Sequence, residues 1–389
     1  MYRSQPAPRD KLSVAFIGGR GIGRPYSGIE TYYEQVGSRL AAFGHEVLVY
    51  CRTHFTPRDV DPRGMRVVLQ PCQRTKHAEN FSHTLLCTAD VMRRPVDIVQ
   101  FHALGPSLFA AIPRLHNVCT VASIRGLDWR REKWAAFAKG FLRFCEDMSC
   151  RLPHAVSVVS RTLQAYYRGQ HAKDVTYIPN GVSLEPAPPV HEIKSLGLAG
   201  GDYLLFMGRI SPEKGCDVLI EAFRRLGRKM KIVVAGYSSY TDSYVERLRG
   251  AAPPGVIFPG RVTGRLRAEL YGHAAAFVLP STIEGLSVAL LEAMSFGRCA
   301  VTTDIPENRE VVDGVGWTVR PGDADGLASL LRRVVDQPGE VAELGRLARE
   351  RIEAEYTWDE VARRTEDFYY DVLARRGRSS LATCGSRAA

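Results

Sequence analysis

The segment Pro280-Ser-Thr-Ile-Glu-Gly-Leu-Ser-Val-Ala-Leu-Leu-Glu-Ala-Met294 decides the fold that we predict for the second half of this chain. The apolar run 275–279 before it predicts a buried strand, and residues 286–296 have the length and composition of a helix. The turn between them therefore lies at Glu284 and Gly285. At such a strand–turn–helix corner, backbone N–H groups at the positive end of the helix point outward, which suits a phosphate.

The corner also carries two carboxylates. The outward N–H groups belong to Gly285, Leu286 and Ser287. Glu284 lies at the start of the helix, and Glu292 lies about two turns further along, roughly 12 Å away if the segment is helical throughout. One carboxylate could then meet a sugar hydroxyl and the other a ribose. The spacing alone is weak evidence for this role, because it also fits a helix with a solvated Glu292 and a Glu284 that favours the helix dipole.

Composition predicts a soluble globular protein with an anionic partner. A chain of 389 residues is long for one hydrophobic core, so two domains are expected. The net charge of +10 favours a phosphorylated substrate, a phospholipid surface or nucleic acid. Because no helix-turn-helix, zinc-finger or RNA-binding motif accompanies this charge, nucleic acid is not expected as a partner.

The sequence gives no signal for export, a membrane span or a metal. Residues 1–11 lack the apolar core of a signal peptide, and nowhere do 18 apolar residues follow one another. The nine cysteines are scattered and form no Cys-x-x-Cys pair. These features predict a cytoplasmic protein with no disulfide framework, no zinc site and no cofactor.

A glycine-rich loop follows the first predicted strand. The apolar run 12–17 leads directly into Gly-Gly-Arg-Gly-Ile-Gly at 18–23. This loop does not match the Gly-x-Gly-x-x-Gly fingerprint of dinucleotide binding, and the next strand, 46–51, does not end in the required acid. A dehydrogenase is therefore disfavoured. Gly19 and Gly28 serve either a tight strand-to-helix turn or a loop that a ligand approaches closely.

Alternating strands and helices predict an α/β protein with a doubly wound parallel sheet in each half. The predicted strands are 12–17, 46–51, 65–70, 96–101, 118–124, 155–159, 203–207, 231–236, 256–259 and 275–279. Functional residues are expected at the carboxyl ends of such strands. His102 and Arg125 hold this position in the first half, although a lone histidine is equally compatible with a structural role.

Two cations follow the predicted strand 203–207. Arg209 and Lys214 lie five positions apart in Gly208-Arg-Ile-Ser-Pro-Glu-Lys-Gly215. At the end of a strand such a pair can converge on a diphosphate, although both could also be solvated surface charges. The proline-rich segment 184–200 before this strand predicts an interdomain linker.

Two Asp-x-Asp pairs, at 59–61 and 323–325, are interpreted as structural and not as metal sites. Neither follows an apolar strand directly. The second has the pattern of a helix start.

The segment 129–151 predicts an amphipathic basic helix. Its apolar residues at helical spacing are Trp134, Phe137, Phe141, Leu142, Cys145 and Met148, and its cations include Arg130, Arg131, Lys133, Lys139 and Arg143. Such a helix can lie on an anionic membrane. An apolar stripe also packs against a core, and this is the primary expectation.

Together these motifs resemble those of GT-B glycosyltransferase family 4. The resemblance rests on Pro-Ser-x-x-Glu-Gly through Glu-Ala at 280–293, Gly-Arg-x-x-x-x-Lys-Gly at 208–215, Gly-Ile-Glu-Thr at 28–31, Gly-Leu-Asp-Trp at 126–129 and Ile-Pro-Asn-Gly at 178–181. It implies two Rossmann-like domains facing across a cleft, at 1–183 and 201–356. It also implies a helix at 357–376 that crosses back to the first domain, and a disordered tail at 377–389.

The resemblance assigns roles to the site residues. Arg209, Lys214 and the amides after Glu284 would stabilise a departing diphosphate, while Glu284 would hold hydroxyls of the transferred sugar. His102 would lie near the reacting sugar or the acceptor. The implied donor-binding residues are Gly19, Gly28, Gly208, Arg261, Val262, Gly285, Leu286, Ser287 and Glu292.

Arg125 departs from the family pattern, because relatives usually carry histidine before Gly-Leu-Asp-Trp. Arginine cannot shuttle a proton near neutral pH, but its planar fork can pair with a carboxylate or a phosphate. Arg125 is therefore expected either to bind an anionic group of the substrates or to pair with a neighbouring acid such as Asp128 or Glu132.

The implied activity is a retaining, metal-independent transfer of a sugar from a nucleotide diphosphate sugar to a glycan or lipid-linked acceptor. The motifs are most similar to the bacterial subgroup that builds capsule, exopolysaccharide or cell-wall polysaccharide and includes rhamnosyltransferases. Peripheral contact with the inner face of the plasma membrane is a secondary expectation. A nucleotide-sugar epimerase of the same fold and a non-catalytic sugar-nucleotide-binding protein remain as alternatives.

Overall fold

The computed structural model describes residues 10–23, 28–75, 78–127, 129, 136–227, 230–238 and 242–385, and only the backbone of 136 and of 378–385. The chain forms two units. The first unit comprises Met1–Asn180 and Trp358–Ala389, and the second unit comprises Gly181–Thr357.

The first unit is built on a parallel sheet of seven strands among its described residues. These are β1 (Ser13–Ile17), β2 (Glu46–Arg52), β3 (Arg66–Gln70), β4 (Ile98–His102), β5 (Cys119–Ile124), β6 (Ala155–Val158) and β7 (Thr176–Tyr177). Its helices are α1 (Gly28–Ala42), α2 (Glu79–Val91), α3 (Leu104–Ser107), α4 (Ala111–Leu115), α5 (Ala136–Arg151) and α6 (Arg161–His171), with a 3-10 turn at Leu108–Ala110.

The second unit repeats this design with six strands among its described residues. These are β8 (Tyr203–Arg209), β9 (Lys231–Tyr237), β10 (Val256–Gly260), β11 (Ala276–Leu279), β12 (Ala300–Thr303) and β13 (Gly316–Val319). Its helices are α7 (Cys216–Leu226), α8 (Asp242–Ala251), α9 (Gly264–His273), α10 (Val288–Ser295), α11 (Pro306–Val312), α12 (Ala324–Asp336) and α13 (Pro338–Glu355). The last helix, α14 (Trp358–Gly385), belongs to the first unit.

Both sheets have the Rossmann strand order. The first runs β3-β2-β1-β4-β5-β6-β7 and the second β10-β9-β8-β11-β12-β13, and all pairs are parallel. The direction of winding reverses between β1 and β4 and again between β8 and β11. Because ligands of such folds bind at the carboxyl ends of the strands at this reversal, the topology indicates one candidate position in each unit. The predicted doubly wound sheets are confirmed.

Alternate residues of β1 enter cores on opposite faces of the first sheet. Val14 and Phe16 pack on one side, whereas Ala15 and Ile17 pack on the other. Such two-sided burial explains why the central strands are continuous apolar runs.

Helix α14 closes the first unit by packing against α1. The Tyr32 and Thr365 hydroxyls lie 3.2 Å apart, and His45 Nε2 lies 2.9 Å from Glu366 Oε1. The backbone remains helical beyond Gly377, where the sequence predicted a disordered tail. An existing helix extends without a new nucleation step, so weak local propensity does not end it at that residue.

Helix α5 differs from its primary prediction. Its buried face carries Cys145, Glu146, Ser149 and Cys150, whereas Phe137 is 90% exposed and Phe141 49% exposed. The expected core-facing stripe is therefore wrong for the first half of the helix, because helical spacing defines a stripe but not the direction in which it faces. Trp134 lies outside the described residues.

The predicted linker contains an ordered turn. A 3-10 helix spans Glu192–Leu196, and Glu269 Oε2 accepts from the N–H groups of His191 at 2.8 Å and Ile193 at 3.2 Å. Burial acts to raise the pKa of Glu269, but the bond from Arg265 and these backbone bonds lower it to about 2. A charged, buried carboxylate thus anchors this segment within the second unit.

Among the described residues, no helix has both the length and the apolar character that crossing a bilayer requires.

Candidate active site

In the second unit, the turn after β8 packs against the turn after β11. Gly215 has φ 67°, and a Cβ at this position would lie 2.3 Å from the Pro280 carbonyl oxygen, so glycine is needed for both conformation and space. The Thr282 N–H donates to the Glu213 carbonyl at 2.9 Å. Two segments distant in sequence are therefore held together at the reversal point of the second sheet.

This packing joins two residues that the sequence predicted separately. Lys214 Nζ lies 2.6 Å from Glu284 Oε1, with side chains 15% and 7% exposed. The ammonium group has three donors, and the bond to Glu284 uses one of them. Lys214 can therefore hold Glu284 in place and still donate to an oxyanion.

Arg209, the last residue of β8, lies on the same edge. Its Nε is buried without a hydrogen-bond partner, and it forms no ion pair with any residue that the structure describes. Burial raises the pKa of nearby Glu213, but its hydrogen bonds and the charges of Arg209 and Lys214 outweigh this effect and lower the pKa. A half-buried guanidinium whose Nε donor is unused suits a bidentate anion such as a phosphate.

Helix α10 begins next to these cations. Its first residue is Val288, two positions later than predicted, because the Ser287 side chain caps the helix by accepting from the Leu290 N–H at 3.3 Å. Gly285 and Leu286 therefore form the turn that leads into the positive end of the helix.

Glu292 already has a partner within the second unit. Its Oε1 lies 2.5 Å from Arg267 Nη1, and the two side chains are 26% and 30% exposed. Arg267, on α9, fixes the direction of the Glu292 carboxylate. The sequence did not predict this contact, because it joins two helices that flank β11. This bond uses one oxygen of the Glu292 carboxylate.

The remaining predicted donor residues lie at neighbouring strand ends. Gly208 is the penultimate residue of β8. Arg261 and Val262 follow β10, and the Arg261 guanidinium carbon lies 5.6 Å from the centre of the Tyr237 ring at the end of β9.

In the first unit, side chains of α1 hold the glycine-rich loop. The Gly19 N–H donates to the Tyr33 hydroxyl at 2.9 Å, and the Arg20 N–H donates to Glu30 Oε1 at 3.0 Å. Gly28 is the first residue of α1. The roles of Tyr33 and Glu30 were missed, although Glu30 lies within the Gly-Ile-Glu-Thr motif.

His102 ends β4, and its imidazole is enclosed by aromatic rings. The centres of the Phe16, Tyr32 and Tyr33 rings lie 5.6, 5.2 and 4.9 Å from it. The side chain is fully buried, and neither ring nitrogen has a hydrogen-bond partner in the described part of the chain. Burial, and secondarily the charge of Arg125, lowers the pKa of His102 well below its usual value, so the ring is neutral at pH 7.

Arg125 follows β5 and lies against the same aromatic cluster. Its guanidinium carbon is 4.2 Å from the centre of the Tyr32 ring, and its Nη1 donates to Asn180 Oδ1. Burial lowers the pKa of Arg125 to about 10, which leaves it charged at pH 7. In the part of the chain that the structure describes, its Nε has no hydrogen-bond partner and no carboxylate forms an ion pair with it. The two acids considered as partners, Asp128 and Glu132, lie outside the described residues.

The Asp-x-Asp pairs have structural contacts. Asp323 Oδ1 caps α12 by accepting from the Gly326 N–H at 2.8 Å, and Asp61 Oδ1 accepts from the Arg63 N–H at 2.9 Å.

A separate polar cluster lies beside α2. His54, Cys72 and Glu79 bring ligand-type atoms within 4.8 Å of one another. Glu79 Oε1 also lies 3.0 Å from Arg52 Nη1. Because Arg52 already neutralises this carboxylate, we interpret the cluster as an ion-pair network.

Comparison with known proteins agrees with this arrangement. A Glycosyltransferase Family 4 model matches residues 26–186, and a Glycosyl transferases group 1 model matches residues 201–337. The chain is 27% identical to glycogen synthase of Mycobacterium tuberculosis over an alignment of 394 residues. The alignment covers 90% of this chain and 92% of that protein.

Two solved structures share the fold. Sucrose-phosphate synthase from Thermosynechococcus elongatus matches with a TM-score of 0.80 at 21% identity, covering 94% of this chain and 100% of that one. Anabaena HepE in complex with UDP and glucose matches with a TM-score of 0.77 at 17% identity, covering 92% and 100%. The family models cover most of the chain, and the chain is therefore a glycosyltransferase of family 4 with the GT-B fold.

Proposed function

We propose that this glycosyltransferase moves a sugar from a nucleotide diphosphate sugar to a glycan or lipid-linked acceptor, with retention of configuration and without a metal. The observation that carries the proposal is the Lys214–Glu284 pair beside the buried, unpaired Nε of Arg209 at the reversal point of the second sheet. Two cations there can neutralise a diphosphate, while the carboxylate can accept from sugar hydroxyls.

The leaving group sets the electrostatic demand on this site. When the bond between the anomeric carbon and the diphosphate breaks, negative charge grows on the diphosphate and positive charge grows on the sugar ring. Fixed donors stabilise such charge without reorganising. In this proposal Arg209, Lys214 and the positive end of α10 take that role, so no metal ion is required.

The two glutamates bind different parts of the donor. Glu284 holds hydroxyls of the transferred sugar, and Lys214 keeps its carboxylate aimed at that sugar. Glu292, oriented by Arg267, holds the ribose with its remaining acceptor capacity. Arg261 and Val262 would contact the nucleotide base, and Gly208 precedes Arg209 on the diphosphate side of the donor.

The first unit serves the acceptor. Its glycine-rich loop, His102 and Arg125 all lie at the carboxyl ends of β1, β4 and β5, which are neighbours in the sheet. Arg125 is a half-buried cation whose Nε donor is unused among the described residues, and it binds an anionic group of the acceptor or the sugar. His102, being neutral, supports Tyr32 and Tyr33 or donates one hydrogen bond near the reacting sugar.

The relatives favour polysaccharide synthesis as the setting. One is named O-antigen chain mannosyltransferase B of Escherichia coli, 28% identical over 50% of this chain, and HepE was solved with UDP and glucose. We place the protein in bacterial capsule, exopolysaccharide or cell-wall polysaccharide synthesis, among rhamnosyltransferase-like enzymes, at the inner face of the plasma membrane.

A ligand screen followed by a product assay tests the proposal. Thermal shift with UDP, GDP, dTDP and ADP identifies the base, because a ligand at 100 times its Kd adds about 2.7 kcal/mol of stability. The matching sugar nucleotide is then incubated with acceptor in EDTA, and NMR determines the anomeric configuration of the product. Transfer with retained configuration is expected, whereas inversion or a loss of activity restored by metal would contradict the proposal.

The same donor without acceptor tests the alternatives. An epimerase would convert the donor to its epimer, and a binding protein would leave it unchanged both with and without acceptor.

A further inference from the structure

The end of β12 is hydrogen-bonded to the turn that carries Glu284. Strands β11 and β12 are neighbours in the second sheet and pair with Leu279 opposite Thr302. This register places Thr303, the last residue of β12, beside the start of the turn after β11. Thr303 Oγ1 donates to the Ser281 carbonyl oxygen, and both residues are buried.

Asn308, on α11, fixes the direction of this hydroxyl group. Its Nδ2 lies 3.0 Å from Thr303 Oγ1 and 3.3 Å from the Thr303 carbonyl oxygen, and the asparagine is buried. Since a carbonyl oxygen can only accept, the nitrogen of the side-chain amide faces Thr303. Thr303 Oγ1 therefore accepts from Asn308, which leaves its own hydrogen to be donated to the Ser281 carbonyl.

The peptide group between Ser281 and Thr282 is consequently held at both ends. Its carbonyl oxygen accepts from Thr303 of β12, and its N–H donates to the Glu213 carbonyl in the turn after β8 at 2.9 Å. In a trans peptide these two groups lie in one plane and point in opposite directions, so the two bonds fix the orientation of that plane. Glu284 lies two residues further along, and the course of its backbone follows from this orientation.

We propose that Thr303 and Asn308 are positioning residues for sugar transfer and act through Glu284. The inference rests on the proposed function, in which Glu284 holds hydroxyls of the transferred sugar. A shift of about 1 Å in a group that contacts the reacting sugar can lower the rate by up to about 100-fold. Diphosphate binding should not depend on this clamp, because Arg209 and Lys214 lie at the end of β8 and in the turn that follows it.

Substitutions of similar shape separate positioning from a general loss of stability. Thr303→Val removes the hydroxyl, whereas Thr303→Ser keeps it. Thr302→Val is the matched control, since Thr302 is equally buried in β12 but its hydroxyl donates to the Thr303 carbonyl at 3.2 Å and not to the turn. Thr303→Val should lower kcat about tenfold, Thr303→Ser should recover most of this loss, and Thr302→Val should turn over like wild type.

Two further variants test the route of the effect. Asn308→Ala leaves the Thr303 hydroxyl without a fixed direction, so it should lower kcat less than Thr303→Val does, and it takes the place of that variant if the valine chain does not fold. In the Glu284→Ala background, Thr303→Val should lower kcat by no more than about twofold, because changes that act through one residue are not additive. The full tenfold loss in that background would overturn the positioning role.

Ligand binding separates this inference from the proposed function. In isothermal titration calorimetry, Thr303→Val should bind the nucleoside diphosphate like wild type and the nucleotide sugar more weakly. Wild-type turnover in Thr303→Val, or an equal loss in Thr302→Val, overturns the inference and leaves the proposed function in place. If wild type binds the nucleotide sugar but transfers nothing, the proposed function fails, and the calorimetric comparison still decides whether Thr303 positions Glu284.

Discussion

The carboxyl edges of the two sheets share a topology but differ in charge. In the second unit, Lys214 and Glu284 pair at 2.6 Å beside Arg209, so the edge offers cations together with a carboxylate. In the first unit, His102 is neutral and Arg125 stacks on Tyr32 with no described carboxylate partner. Strand order thus gives each unit one candidate position, and the side chains at the strand ends give the two positions different charges.

The largest effect is expected at Glu284. Glu284→Ala should lower kcat by about 100- to 1000-fold, because it removes a contact that strengthens in the transition state and leaves Lys214 unpaired. Glu292→Ala is the matched control in the same segment and should chiefly raise the donor KM, by about tenfold. Steady-state kinetics on both variants, with melting temperatures, make the comparison. The reverse assignment would mean that the strand–turn–helix corner holds the donor in another orientation.

Arg125 tests the corresponding edge of the first unit. Arg125→His should lower activity about tenfold without lowering the melting temperature, because imidazole fits beside Tyr32 but carries no permanent charge at pH 7. Arg125→Lys, which keeps the charge but not the planar fork, should recover only part of the activity. Full activity in the histidine variant would show that no substrate anion contacts this residue.

The pH dependence of the unfolding free energy tests whether His102 is buried as a neutral ring at the edge of the first sheet. Burial lowers the pKa of His102 in the folded chain, so its contribution to stability is complete above the unfolded value of about 6.5 and is lost as pH falls below it. His102→Gln should therefore flatten the decline in unfolding free energy below pH 6.5, by at most about 1.4 kcal/mol per pH unit.

Denaturant unfolding at pH 7, 6 and 5 measures this slope, with exposed His116→Gln as the control. Equal slopes in wild type and His102→Gln would contradict a buried neutral ring. His83 and His154, whose pKa values burial lowers to about 4, contribute to the wild-type slope in the same direction.

The smallest effect concerns Ala103, the residue after His102. Its φ of 74° and ψ of 164° fall in a region that is essentially restricted to glycine. Ala103→Gly should raise the unfolding free energy by about 1 kcal/mol, whereas Ala110→Gly, at an ordinary φ of −62°, should lower it. A lower unfolding free energy in Ala103→Gly would show that the backbone at Ala103 is not strained.

Local sequence patterns were sufficient for much of the fold. The strands before Gly208, His102 and Pro280 are short apolar runs that end at glycine, proline or polar residues, and such signals do not depend on distant contacts. The turn at Glu284 and Gly285 was predicted correctly for the same reason. Helix α10 begins two residues later than predicted because its start is set by the side chain of Ser287.

Contacts between distant segments could not be predicted. The Lys214–Glu284 pair depends on the fit of Gly215 against Pro280, and the Arg267–Glu292 pair depends on two helices meeting. The exposure of Phe137 depends on how α5 is rotated against α3. None of these distances follows from periodicity or spacing along the chain.

The proposed donor site depends most on binding of the diphosphate by Arg209 and Lys214. Isothermal titration calorimetry with the nucleoside diphosphate selected by the screen should show binding about 10- to 100-fold weaker for Arg209→Ala and for Lys214→Ala, since a hydrogen bond to a charged group contributes about 1.5–3 kcal/mol. Lys194→Ala, which removes an exposed cation elsewhere in the same unit, should bind like wild type. Wild-type affinity in both the Arg209 and the Lys214 variants would contradict the phosphate site, and with it the proposed roles of the second unit.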